Sequence, residues 1–196
     1  TAYESSSEKF IESKSLKLYL NSINNKKFGD REDLLSLIKN DLEQCISNEV
    51  QIEIRNTPKE FIKGNKSINL LKGSLESTKE ETLWVNSKKI TEEIACDVFR
   101  SLCPVTGQPD WATIRINYSG KHINYRKLLK YLLSYRNKQA FHEECVEKIF
   151  VDITEFCKPD HLTVTANYMR RGGIELNPVR SSVKEFNREI LREIKQ

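Results

Sequence analysis

The chain of 196 residues has no CxxC pair among its five cysteines, no apolar run of membrane-spanning length and no GxGxxG among its seven glycines. The first absence leaves a tetrahedral zinc site without a second ligand pair. The second leaves no segment to serve as a transmembrane helix. The third means that a dinucleotide, if bound, is not held in the Rossmann manner. No secretory signal pattern is visible, and an odd set of cysteines (Cys45, Cys96, Cys103, Cys145 and Cys157) predicts free thiols in a reducing cytoplasm. A dominant charge of one sign is missing as well. The net charge of +4, from 32 basic and 28 acidic residues, is a weak bias towards anionic ligands and predicts neither direct nucleic-acid binding nor membrane binding.

What is present is an internal repeat. A shift of 112 residues carries Tyr19 onto Tyr131, Ser22 onto Ser134, Asn25 onto Asn137, Lys26 onto Lys138 and Cys45 onto Cys157. Leu34, Leu37 and Ile38 then fall on Val146, Ile149 and Phe150 at helical spacing, and Val50, Ile52 and Ile54 on Leu162, Val164 and Ala166 at strand spacing. Each copy reads helix, helix, strand. The helices are predicted over Leu16–Asn24 and Arg31–Ser47, then over Tyr125–Arg136 and His142–Lys158. Asp30 is the expected N-cap of the second of these, with Glu32 and Asp33 in its first turn. Strands are predicted at Val50–Arg55, Leu162–Met169 and Gly173–Pro178, and an alternating run over Trp111–Tyr118 adds a strand ahead of the later copy. The earlier copy has no counterpart of that strand, and the chain opens on Thr1, so an upstream segment is expected to be missing. The resulting division is a partial N-terminal module over residues 1–57, a connecting segment over 58–98, a C-terminal module over 99–182 and a terminal amphipathic helix over 183–196.

Three clusters carry chemistry. Ser-Leu-Cys-Pro-Val-Thr-Gly-Gln-Pro-Asp-Trp over residues 101–111 puts Cys103 in a loop stiffened by Pro104 and Pro109, with Asp110 close behind. An accessible thiolate beside a proton-donating group is the pairing nucleophilic catalysis needs, and two prolines limit how far the pair drifts apart; the competing reading is a packed thiol and an ordinary turn. His142 lies on the apolar face of its helix beside Glu143, either as a hydrogen-bonded core residue or as a pair that manages protons or binds the donor edge of a purine-like ring. Its spacing to Cys145 is compatible with a metal, but no second pair completes a site, and no metal is expected. Arg170-Arg171-Gly172-Gly173 follows a strand and combines guanidiniums with glycines that let backbone N–H groups approach an anion, or is simply a solvated turn. Ser13-Lys14-Ser15, at a helix start, offers further phosphate-compatible donors.

Together, Glu12-Ser13-Lys14-Ser15-Leu16-Lys17-Leu18-Tyr19, Cys103-Pro-Val-Thr-Gly-Gln-Pro-Asp110, Phe141-His142-Glu143 and Arg170-Arg171-Gly172-Gly173 resemble the signatures of the NADPH-dependent 7-cyano-7-deazaguanine reductases, the nitrile reductases of queuosine biosynthesis. The order of the motifs is that of the two-module branch, without its N-terminal strands. The resemblance implies an α+β tunnelling fold (T-fold), two tandem modules of antiparallel sheet packed on helix pairs, the first incomplete, with ligand sites at module interfaces and a homodimer as the assembly.

By the same resemblance Cys103 is the nucleophile that forms a thioimide with the substrate nitrile, Asp110 the proton donor and His142 its catalytic partner. Glu12 and Glu143 grip the guanine-like edge of 7-cyano-7-deazaguanine, with Ile11, Ser13 and His142 completing the pocket. Ser13, Lys14, Arg171 and Gly172 hold NADPH, aided by Ser15, Arg170 and Gly173. Two other readings stay open on the residues. One is a thioimide-forming amidinotransferase relative, against which the two phosphate-compatible clusters argue. The other is a non-catalytic deazapurine-binding fragment, kept alive by the short front end.

Overall fold

The computed structural model describes residues 2–3, 9–23, 26–53, 66–68 and 85–183 of the chain. They divide into two units, Thr1–Lys59 and Glu60–Gln196. The predicted terminal helix from residue 184 on and residues 54–55 of the predicted strand Val50–Arg55 lie outside the described residues; of the rest of that strand only Val50–Gln51 is strand, and residues 52–53 are not.

In the first unit, Ala2–Tyr3 (β1) is followed by the helices Ser13–Ile23 (α1) and Arg31–Ile46 (α2) and by Val50–Gln51 (β2). Asp30 does cap α2, its Oδ1 accepting the Asp33 N–H at 2.9 Å, and Glu32 and Asp33 place negative charge at the positive end of the helix dipole. The helix stops at Ser47, which takes a left-handed conformation (φ 56°) and returns its N–H to Glu43 O. Val50 then packs on Leu42 and Ile46. The repeat leaves this copy without a strand ahead of its helices; the structure supplies β1, paired antiparallel with β2 through Ala2 opposite Gln51 and Tyr3 opposite Val50. Two residues are too few to show alternation, which is why the pattern passes over them.

The second unit runs Lys66–Ser67 (β3), Val85–Leu102 (β4), Pro109–Ile123 (β5), Tyr125–Leu133 (α3), His142–Cys157 (α4), His161–Tyr168 (β6) and Val179–Ser181 (β7). The five strands form one sheet in the order β3-β4-β5-β6-β7, parallel only between β3 and β4. Three expectations need correction here. Residues 85–98, placed in the connecting segment, are the first part of the 18-residue strand β4; its exposed start pairs with β5 at Val85 and Lys89, on either side of an irregularity at residues 86–88 where Asn86 Nδ2 meets His122 Nδ1 at 3.1 Å. The third helix ends at Leu133 and tightens into a 3-10 turn over Ser134–Asn137, where Lys138 N–H returns to Tyr135 O. The strand predicted over Gly173–Pro178 begins instead at Val179. Gly172 and Gly173, at φ 59° and 76°, make a turn, and Pro178 has no N–H to give a ladder.

Along β5 and β6, Ala112, Ile114, Ile116 and Tyr118 and then Leu162, Val164, Ala166 and Tyr168 share the face that packs on α3 and α4, against Leu128 and Leu132 of α3 and Val146, Ile149 and Ile153 of α4. The fold is therefore α+β, an antiparallel sheet backed by a helix pair, as the T-fold expectation required. At the far end of β5, Gly120 adopts φ 155°, and a Cβ there would stand 2.9 Å from Pro159 Cα, so the close approach of the two backbones needs glycine.

One irregularity decides what faces the helices at the other end. Cys96 pairs with Ile114 but Phe99 pairs with Ala112, so β4 carries one extra residue between them. Strand side chains alternate, and one inserted residue reverses the parity. Ile94 and Cys96 are buried before the bulge, and Phe99, Ser101 and Cys103 after it. The bulge thus keeps Cys103 on the buried face.

Candidate active site

After the bulge, Ser101 pairs with Asp110 and Leu102 with Pro109, leaving residues 103–108 as the hairpin connection between β4 and β5. That connection folds back on Cys103. Cys103 N–H donates to Gln108 O at 2.8 Å, Gly107 N–H to Cys103 O at 2.9 Å, and Thr106 N–H to Cys103 Sγ at 3.2 Å. Gly107 makes this possible with φ 68°. An amide N–H aimed at sulfur favours the thiolate, the nucleophilic form. The sequence expects an accessible thiol, whereas Cys103 is fully buried beneath Val105–Pro109, which are all exposed.

Asp110 begins the regular part of β5 on the same buried face and is 6% exposed. Its two oxygens meet two different cations or hydrogen-bond donors: Oδ2 lies 3.3 Å from His142 Nε2, and Oδ1 lies 3.0 Å from an Arg171 guanidinium nitrogen. Arg171 also donates to Gln108 Oε1 at 2.6 Å and to Pro109 O, so the Arg-Arg-Gly-Gly turn is tied to the cysteine hairpin. His142 is the first residue of α4, whose start is fixed by Phe141 N–H donating to Glu144 Oε2 at 2.8 Å, a capping contact from the N3 position. Glu143 beside it is half-buried.

Beneath these residues lies a group the sequence reading passed over. The Tyr168 ring stacks on the His142 ring, with centroids 3.7 Å apart and planes 11° from parallel. The Tyr168 hydroxyl, Ser101 and Cys145 interact with one another, and burial, reinforced by Cys145, pushes the phenol well above its ordinary pKa. Burial likewise raises the Cys145 thiol. Cys145, weighed in the sequence as a partner for a metal beside His142, is a neutral packing thiol. Among the described residues no three His, Cys, Asp or Glu side chains converge as a metal site would require. Tyr168 was legible only as the last core-facing position of a strand; the register Ala112 opposite Tyr168 is what brings it under Asp110.

Cys103, Asp110, His142, Arg171 and the Gly172-Gly173 turn therefore belong to one region of the second unit. The turn suits an anion: a Cβ at either glycine would meet nothing within 4 Å, so their backbone is open, and Arg170, 41% exposed and 3.5 Å from Glu175, adds a second guanidinium. In the first unit, Ile11 and Glu12 are half-buried before α1. Glu12 Oε2 accepts both the Ser15 N–H at 2.9 Å and the Ser15 hydroxyl at 3.0 Å, so a carboxylate already occupies this helix start and Ser15 is spent on it. Ser13 and Lys14 open α1, and their side chains lie outside the described residues.

Known proteins match along both units. The family described as "QueF-like protein" matches residues 109–187, and the one described as "Nitrile reductase, 7-cyano-7-deazaguanine-reductase N-term" matches residues 1–54. An NADPH-dependent 7-cyano-7-deazaguanine reductase of Legionella pneumophila (strain Corby) is 41% identical over 204 residues, covering 100% of this chain and 72% of the relative. One of the same name from Buchnera aphidicola subsp. Schizaphis graminum is 44% identical over 188 residues, covering 90% of this chain and 71% of the relative. A crystal structure of the archaeosine synthase QueF-Like in the apo form superimposes with a TM-score of 0.41 at 20% identity, over 53% of this chain and 96% of that one. With that identity along its whole length, this chain belongs to the family of the NADPH-dependent 7-cyano-7-deazaguanine reductases.

Proposed function

We propose that the chain reduces the nitrile of 7-cyano-7-deazaguanine to an aminomethyl group with two NADPH, and that Cys103 and Asp110 carry the bond-making steps. Family membership supports the reaction. The observation that carries the residue assignment is the Asp110 carboxylate, held between His142 and Arg171 on the hairpin that bears Cys103.

A nitrile accepts hydride poorly, and the residues in place convert it to something better. Cys103 Sγ, as thiolate, adds to the nitrile carbon; one π bond of the C≡N group breaks and its nitrogen takes a proton from Asp110, giving a thioimide. NADPH, when bound, supplies the two hydrides that take this carbon to the amine. After the first, the C–S bond breaks and its electron pair returns to Cys103, restoring the thiolate. The overall balance is one nitrile, two NADPH and two protons giving one amine and two NADP⁺. Asp110 has His142 at one oxygen to orient it and to return its proton.

For the cofactor, the open Gly172-Gly173 backbone with Arg170 and Arg171 fits a phosphate-bearing anion; the α1 start, occupied by Glu12, fits one less well. In the second unit, Glu143 and His142 supply the acceptor and donor atoms that a guanine-like edge needs. A homodimer and a cytoplasmic setting complete the reading. Five cysteines without a disulfide suit a reducing compartment, and no helix among the described residues is long and apolar enough to cross a membrane.

The test is NADPH absorbance with and without the nitrile, together with substrate analysis. A reductase oxidises NADPH only when the nitrile is present. Consumption of nitrile without loss of NADPH identifies an amidinotransferase, and binding without either identifies a non-catalytic module; each of these outcomes rejects the proposal.

A further inference from the structure

We propose that Tyr168 is the positioning residue for His142, its ring fixing the plane in which Nε2 meets Asp110. The inference rests on the reductase reading, in which His142 serves Asp110. His142 is 7% exposed, and its two ring nitrogens are unequally served. Nε2 lies 3.3 Å from Asp110 Oδ2, while Nδ1 is buried with no hydrogen-bond partner among the described residues. An imidazole anchored at one nitrogen is free to turn about its Cβ–Cγ bond, because that torsion has broad wells. In most oriented histidines the second nitrogen prevents this by bonding a carbonyl or carboxylate. Here that anchor is missing, and the constraint in its place is the parallel stack on Tyr168, at 3.7 Å and 11°.

Tyr168 is suited to the task because it cannot move. It is 1% exposed, ends β6 opposite Ala112, donates its N–H to Leu176 O at 3.3 Å and meets Phe99 edge-on, with centroids 6.5 Å apart. Its hydroxyl sits with Ser101 and Cys145, while its ring face meets the imidazole. The ring therefore acts by shape. Removing the hydroxyl leaves the stack, and removing the ring releases the imidazole.

The experiment uses the full chain, with Tyr168→Phe, Tyr168→Leu, His142→Ala and the double variant Tyr168→Leu/His142→Ala. Two quantities are read: the rate at which 7-cyano-7-deazaguanine forms a covalent adduct without cofactor, by intact mass, and the proton spectrum of His142. The chain has three histidines, so the His142 ring signal is assigned by its loss in His142→Ala. Tyr168→Phe is expected to keep the parent rate, and Tyr168→Leu to slow adduct formation about tenfold or more, as small misplacements at reacting centres do. In the His142→Ala background Tyr168→Leu is expected to cost nothing further, because the two side chains act as one unit. The His142 signal is expected upfield, under the ring current of Tyr168, in the parent and in Tyr168→Phe. Independent losses from Tyr168→Leu and His142→Ala, a Phe variant as slow as Leu, or a parent His142 signal at an unstacked position each overturns the proposal. Should Tyr168→Leu fail to fold, the Phe rate and the parent spectrum decide. A parent chain that forms no adduct rejects the reductase reading, while the His142 signal still reports whether the ring is held.

Discussion

His142 Nε2 and an Arg171 nitrogen take opposite oxygens of the same carboxylate, Asp110, at 3.3 and 3.0 Å. The carboxylate is thereby fixed in plane and direction, one strand position beyond the turn that holds Cys103, and a fixed carboxyl is what a proton donor to a nitrile nitrogen must be. Asp110→Asn keeps the shape and the hydrogen-bonding partners but cannot donate a proton as an acid. Turnover is expected to fall by about 10²–10⁴-fold, the usual worth of a positioned acid. Intact-mass analysis is expected to find the nitrile adduct still on Asp110→Asn and none on Cys103→Ala. An undiminished mass shift in Cys103→Ala means that sulfur is not the nucleophile.

Arg171 makes three contacts at once, to Asp110 Oδ1, Gln108 Oε1 and Pro109 O, and only a guanidinium has the spread of donors to do so. Lysine keeps the charge and loses the fork. Arg171→Lys is therefore expected to lower kcat by loosening Asp110, and, with the fork gone for phosphate oxygens too, to raise KM for NADPH about tenfold while moving KM for the nitrile much less. Equal changes in the two constants would assign Arg171 to the hairpin's integrity alone.

Of the five cysteines, Cys45 is exposed and Cys96, Cys103, Cys145 and Cys157 are buried. A bulky disulfide reagent added to the native protein is expected to label one thiol rapidly and the other four only on unfolding. Cys45→Ser is expected to abolish the rapid phase without changing nitrile adduct formation. A rapid phase that survives in Cys45→Ser but not in the double variant Cys45→Ser/Cys103→Ala would show that the 103–108 connection opens to solvent without substrate.

Much of this arrangement was legible in the residues, and the parts that were not share a physical cause. Helices announce themselves through apolar spacing over many residues, so α2 and α4 were placed within a residue or so of their ends. Pro104 and Pro109 marked the loop that bears Cys103 because prolines stiffen a connection. The start of β4 was lost because Asn86, Ser87, Lys88 and Lys89 are ordinary surface residues, and the pairs that bracket them, Val85 with Ile123 and Lys89 with Lys121, join a strand distant in sequence. The bulge between Cys96 and Phe99, on which the inward direction of Cys103 depends, has no signature in composition at all. Tyr168 was hidden for the same reason. Its role comes from register with Ala112 and from where α4 begins, and neither distance is encoded locally.

The buried thiols and phenols of the second unit tie its stability to alkaline pH. Burial pushes Cys157 from 9.0 up to about 12, and Cys145, Tyr118, Tyr131 and Tyr168 are shifted upwards too, in each case chiefly by desolvation. A raised folded-state pKa means that both states hold the proton below the unfolded value, so stability there is flat. Above that value the unfolded chain releases protons that the folded chain keeps, and folding is penalised by about 1.4 kcal/mol per pH unit for each such group until its folded pKa is reached. The urea midpoint is therefore expected to hold steady up to about pH 9 and to fall steeply beyond it, thiols first and phenols about one unit later. Cys157→Ala, although it removes some packing, is expected to make the fall between about pH 9 and 10 shallower, because one proton fewer is released on unfolding. A slope unchanged by that substitution would show that Cys157 titrates alike in both states and that its burial does not shift it.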